Sequence, residues 1–318
     1  MKKSSSKTNK INTDKFIWAP GLGCDQKSLL RIKSHFSKPP SQPMGEAWFM
    51  GDERRMFDHL YTSPDYLSSE TIAEAFEEII SGLTAFGHYQ EWHDWYHYLL
   101  AISLERMNRQ QLDYLLEYCI SGYFICYSND TDKLPYKEFK NDLLNTLGKM
   151  IMSSKNWSDS NAILENILYE PAESPSDTRG WWDASSDLSC SIFFCLKYLP
   201  NELIYPWFRS ALDIPSSHWR AQILVWLVGA HPLITGDINK ISKLTHHPDI
   251  SWEQSDLLSK AISINNRRAI ATCVNQYFTE DKYIEWLEKI SIHDYLIAET
   301  TDILMMFEQM YIDKKIEI

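Results

Sequence analysis

The sequence predicts an all-α protein, and three observations carry that reading. Glycine is scarce, 11 in 318 residues, where a turn-rich β fold would need many. The stretch from Phe86 to Arg106, FGHYQEWHDWYHYLLAISLER, has the clearest helical period in the chain: Trp92, Tyr96, Leu99, Leu100 and Ser103 recur at i, i+4, i+7, i+8 and i+11 and mark one wide apolar face. The same grammar then repeats along the chain, with polar cap-forming residues, a periodic segment and a short break.

From the N-terminus, residues 1–15 are rich in Lys, Ser, Asn and Thr and predict a disordered basic tail. Residues 16–68 contain PGLG and KPPSQP and read as an irregular arm with a short helix around Lys27–His35. Trp18, Trp48 and Phe49 could pin that arm to a helical body over 69–318. The body opens with SSETIAEAFEEII, where a serine cap and first-turn acids precede Ile72, Phe76, Ile79 and Ile80 on one face. The aromatic helix follows, then QQLDYLLEYCISGYFICY to about Tyr127, with Leu112, Leu115, Leu116, Cys119 and Tyr123 in helical period. SNDTDKLP is a loop, and 136–152 and 158–170 form the next helix pair.

Residues 171–183, PAESPSDTRGWWD, are the longest non-periodic stretch of the body. After it, Leu188–Leu199, Glu202–Leu212 and Ser217–Leu233 read as helices opened by cap-like SSD, PNE and PSS. Short helices are expected from about Ile238, Glu253, Arg267, Glu280 and His293, the last closing near Ile312. Short loops make sequential helices antiparallel neighbours, and a long series of them stacks into an α-solenoid. The body, roughly 70–312, thus resembles loosely degenerate HEAT-like repeats in architecture, without a repeated motif at fixed spacing. An irregular α-bundle is the alternative.

The chain carries 43 acidic and 31 basic residues, a formal charge of −12. Residues 1–50 hold nine basic and three acidic side chains, so the excess of acid belongs to the rest. Between Asp52 and Asp94 there are ten acids against Arg54 and Arg55. Such a surface repels phosphate backbones and argues against nucleic-acid binding, while it suits a basic protein partner. Six cysteines without CxxC spacing predict reduced thiols, and the Lys-containing N-terminus has no apolar segment behind it. No run of about 18 apolar residues predicts a membrane span, so a cytoplasmic protein is expected.

Several constellations invite a chemical reading. His93 and His97 stand at i and i+4 with Asp94 between them, the spacing with which a helix can share one metal. Asp is a methylene shorter than the Glu of HExxH proteases, and no third ligand is evident downstream. His59, His93, Asp94 and Asp159 follow the order of an HD phosphohydrolase, but the flanking EWHDWYHYLL does not resemble that family. His293–Asp294 reads as a helix start, and His246–His247–Pro248–Asp249 as a structural turn. Gly21–Leu22–Gly23 lacks the third glycine and the lysine of a phosphate cradle. No metal and no cofactor are expected.

Two surfaces are better candidates for binding. One is acidic: Asp52, Glu53, Asp58, Glu70, Glu74, Glu77 and Glu78, with Trp48, Phe49 and Phe57 as anchors. The other is Arg179, Trp181, Trp182 and Asp183, residue types that dominate interface hot spots. The sequence therefore predicts a protein-binding, non-enzymatic helical protein that neutralises a basic partner, in the manner of an immunity protein for a bacterial toxin. A scaffold in a larger assembly is the first alternative, and a metal-dependent hydrolase built on His93, Asp94 and His97 the second.

Overall fold

The computed structural model describes residues 16–41, 58–86, 90–109, 114–127, 133–158, 183–244, 248–258 and 261–316. Every regular element among them is helical, and the single β contact is an isolated antiparallel bridge between Lys240 and Ala261. None of these helices is long and apolar enough to cross a membrane.

The N-terminal segment is held by one aromatic anchor. Trp18 is buried, its indole nitrogen donates to the Gly148 carbonyl at 2.7 Å, and its ring meets those of Trp207 and Trp219 edge-on. Helix α1 (Gln26–His35) starts where the Asp25 carboxylate accepts from the Ser28 amide at 2.8 Å. It turns Leu29 and Ile32 inward against α3 (Gln90–Arg109) and α5 (Phe139–Asn145). Arg31 closes the joint with a fork onto Asp142, a carboxylate only 1% exposed that also accepts from Tyr136 at 3.0 Å.

Helix α2 (Ser69–Phe86) begins where the Ser68 hydroxyl accepts from the Thr71 amide at 3.0 Å. Its expected apolar face, Ile72, Phe76, Ile79 and Ile80, is fully buried against α3 and α4 (Leu115–Cys126). The face read from the sequence of α3 is buried as well, from Trp92 to Ser103, and Trp95 and Tyr98 are covered on other sides. Helices α3 and α4 approach closely at Gly122, where a Cβ would stand 2.5 Å from the Tyr96 ring.

One expected helix, 136–152, is two elements. Helix α5 stops at Asn145, and Leu147–Met152 continues as a 3-10 helix. The Gly148 carbonyl is taken by the Trp18 indole and the Cys195 thiol, which draws the backbone toward tertiary partners. The expected helix 158–170 lies beyond the described residues, since Ser158 is the last of its segment.

The C-terminal half is built on α8 (Ser217–Thr235), which is buried on nearly every side from Trp219 to Ala230. It receives α9 (Ile264–Tyr277), α10 (Glu280–Ile290) and α11 (Asp294–Phe307), while α7 (Asn201–Leu212) lies along α9. Gly236, with φ 99°, ends α8 in the left-handed conformation that glycine adopts without strain. Helix α6 (Ser186–Tyr198) joins the halves through contacts with α4 and α9.

The short helices expected near Ile238 and Glu253 are single 3-10 turns, Ile241–Lys243 and Ser255–Leu257. At the second, Gln254 has φ 67°, which no right-handed helix can accommodate. A π-helical turn, Glu308–Ile312, follows α11.

Candidate binding surface

A candidate binding region is assembled around Glu117, in the first turn of α4. Only 7% exposed, its carboxylate accepts from the Ser186 hydroxyl at 2.6 Å and from the Glu253 amide at 2.7 Å. One turn later, Ser121 donates to the Glu253 carbonyl and accepts from the Trp252 indole, both at 3.0 Å. Helix α4 thereby grips the segment 249–256 from one side.

Residues 183–186 grip it from the other. The Ala184 amide donates to the Asp249 carbonyl at 2.8 Å, and the Ser186 amide to Ser251 at 2.9 Å. Asp183 accepts from the Asp249 amide at 2.9 Å, and Asp249 in turn accepts from Ser251 at 2.8 Å. Ser186 and Gln254 both have φ 67°, a conformation rare outside glycine and concentrated at functional sites.

Between these elements lies an open cavity of about 800 Å³. Its walls are aromatic at Tyr114, Tyr118 and Trp252, and acidic at Glu117, Asp249, Glu253 and Asp256. No Lys, Arg or His stands among the described residues that line it. Ser185, 8% exposed, lies in the same wall, and its hydroxyl has no hydrogen-bond partner among the described residues. Leaving a buried hydroxyl unpaired costs about 1–3 kcal/mol, a cost that a bound polar group can remove.

One hydrogen bond links the cavity wall to α2. Tyr118, on the cavity wall, donates its hydroxyl to Glu77 at 2.6 Å. Burial raises the phenol pKa, and the Glu77 bond and the charges of Glu77, Glu253 and Glu117 raise it further. Glu70, Glu74, Glu77 and Glu78 are all exposed on α2.

The structure thus relates two surfaces that the sequence presents as separate. Glu77 bonds Tyr118 of the cavity wall, and Asp183 bonds the amide of Asp249 in the same cavity. Asp183 is buried and orients the Asp249 loop, so it supports the wall without being an exposed contact. Asp52, Glu53, Arg179, Trp181 and Trp182 lie outside the described residues, as do Trp48, Phe49 and Phe57. Asp58 opens a 3-10 turn, Asp58–Tyr61, and its side chain is likewise outside them.

Sequence reasoning did not single out Glu117, Ser185, Glu253 or Asp256. One signal was available for the first: Glu117 is the lone charge in the otherwise apolar and aromatic run from Tyr114 to Tyr127. Ser185 and Ser186 read as helix-cap residues, which concealed the role of Ser186 as a donor to Glu117.

The His93–Asp94–His97 constellation lies in the first two turns of α3. Its imidazole centroids are 6.4 Å apart, and the Asp94 carboxylate accepts from Gln90 at 2.8 Å. His97 is buried, with Nε2 2.5 Å from the Tyr127 hydroxyl and its ring stacked on Phe36. Burial, with a smaller contribution from His93, pushes its pKa down to about 3, so the ring is neutral. No group of three or more His, Cys, Asp or Glu placed to hold a metal occurs among the described residues. Of the HD string, the His59 side chain and Asp159 fall outside them, as do His246 and His247. His293 precedes α11 and packs its ring 4.7 Å from that of His218. All six cysteines are free thiols, five of them buried.

No protein-family model matches the chain, and no curated protein or solved structure matches it.

Proposed function

We propose that this protein binds and neutralises a basic protein partner in the cytoplasm, in the manner of an immunity protein that masks a bacterial toxin. The observation that carries the reading is the Tyr118–Glu77 hydrogen bond, which ties an exposed carboxylate of α2 to the wall of the acidic cavity. A surface of one sign accelerates encounter with a partner of the opposite sign and selects against acidic proteins and nucleic acids. The succession of packed helices, read as a solenoid of antiparallel pairs, would offer that surface as an extended face, the usual use of such folds. Six free cysteines suit a reducing compartment.

The test is association kinetics with a basic protein captured by the tagged chain from its native cell extract. Wild-type association should slow steeply as salt rises. The triple variant Glu74→Lys, Glu77→Lys, Glu78→Lys should associate at least about tenfold more slowly and with a flatter salt dependence. Equal on-rates for the two proteins would remove the α2 face from the function.

A further inference from the structure

The geometry points to a guanidinium receptor in the cavity around Glu117: an arginine side chain of the basic partner enters beside Tyr114, Glu253 and Asp256 and reaches toward Ser185. The inference rests on the partner-binding reading above and names what that partner inserts.

Three features of the cavity select the ligand. Its charge is of one sign, from Glu117, Asp249, Glu253 and Asp256. Both oxygens of Glu117 already accept hydrogen bonds, so it contributes a fixed negative charge, while Glu253 and Asp256 are exposed at the mouth. The buried Ser185 hydroxyl has no partner among the described residues and can accept from an N–H donor. Of the aromatic residues in the walls, Tyr118 and Trp252 are buried, and Tyr114 is exposed and can stack on a cation.

An ammonium group satisfies the charge, but it is compact and strongly hydrated. A guanidinium is planar, more weakly hydrated and carries five donors in a fork that matches carboxylates, and it stacks on aromatic rings. The cavity, about 800 Å³, holds more than one side chain, which suits an arginine delivered with the backbone on either side of it. Among the described residues, no lysine or arginine lines the cavity to compete for its carboxylates.

The test titrates the full chain with three tripeptides capped at both ends, Gly-Arg-Gly, Gly-Lys-Gly and Gly-citrulline-Gly, and with agmatine as a free guanidinium. The arginyl peptide should bind about tenfold tighter than the lysyl one, and the uncharged citrulline peptide should not bind measurably. Glu253→Gln with Asp256→Asn, both at exposed positions, should weaken arginyl binding about tenfold, and Ser185→Ala about threefold. Glu280→Gln, at the exposed start of α10, should leave it unchanged. Equal affinity for the arginyl and lysyl peptides, or wild-type affinity in the Glu253→Gln, Asp256→Asn protein, would overturn the guanidinium site. Agmatine binding far tighter than the peptide would overturn the protein source of the group.

The partner assay separates this inference from the reading beneath it. A basic partner lost by the α2 triple variant but held at full affinity by Glu253→Gln, Asp256→Asn leaves the reading standing and removes the arginine site. Arginyl-peptide binding that needs Glu253 and Ser185, with no basic protein that needs α2, supports the site and removes the reading.

Discussion

Glu117 accepts the backbone amide of Glu253 at 2.7 Å, and the two residues are separated by 136 positions in the chain. A buried carboxylate thereby fixes the loop that forms one wall of the cavity, and its second oxygen holds Ser186, whose segment pairs with that loop. Replacing it should loosen the cavity before it unfolds the protein. Glu117→Ala is expected to cost about 2–4 kcal/mol, the loss of two charge-assisted hydrogen bonds partly offset by the removal of a buried charge. Hydrogen exchange should then show faster opening at 249–256, with α8 still protected. Uniform loss of protection across both regions would mean that Glu117 supports the whole fold and not the loop in particular.

His97 makes the fold sensitive to acid. Burial holds its folded pKa at about 3, against about 6.5 for an unfolded chain, so the unfolded state takes up the proton first as pH falls. The stability tied to neutral His97 is complete above about pH 6.5 and is lost progressively between there and pH 3, with a ceiling of about 5 kcal/mol. His97→Phe should keep the stacking on Phe36 and flatten stability across that interval, even if it lowers stability at pH 7 by leaving Tyr127 short of a partner. Urea denaturation at pH 7 and pH 4.5 reads the difference. Parallel losses in the two proteins would clear His97 of the acid sensitivity.

Arg220 is a buried cation with a weak partner. It is 6% exposed, its guanidinium lies 5.3 Å over Trp286, and its contact with Glu285 is 3.6 Å long. Its Nε and Nη1 have no hydrogen-bond partner among the described residues. Such a group contributes little net stability, because desolvation offsets the attraction. Arg220→Met should therefore be neutral or stabilising within about 1 kcal/mol, and Glu285→Gln should cost under about 1 kcal/mol because that carboxylate is 42% exposed. A loss of several kcal/mol in Arg220→Met would show that the guanidinium is well paired in solution.

Gly122 sets the distance between α3 and α4. In an unconstrained helix, Gly→Ala gains up to about 1 kcal/mol. Here the added methyl would stand 2.5 Å from the Tyr96 ring, itself fully buried and donating to the Cys119 carbonyl at 2.9 Å. Gly122→Ala should thus cost about 1–3 kcal/mol, and the sign alone decides the matter in a thermal melt. A raised midpoint would mean that Tyr96 moves aside freely.

Much of the fold was legible because helices are written locally. The period of α3, the cap at Ser68 and the acids of α2 each depend on residues within a turn or two, and they read correctly. The failures came where distant groups competed for the backbone. A helix expected to reach 152 stops at Asn145, and the 3-10 segment after it gives its Gly148 carbonyl to Trp18. At Gln254 the chain enters a left-handed conformation while Glu117 takes the preceding amide, and a single 3-10 turn replaces the helix expected there.

The sequence by itself determined the helical class, the acidic character of the surface and the exposed carboxylates of α2. Only the tertiary structure decided that Glu77, Glu117, Ser185 and Glu253 belong to one place. No spacing encodes that, because the elements that carry them meet through burial of their apolar faces. The polar groups come along on the opposite sides, and their neighbours are set by packing.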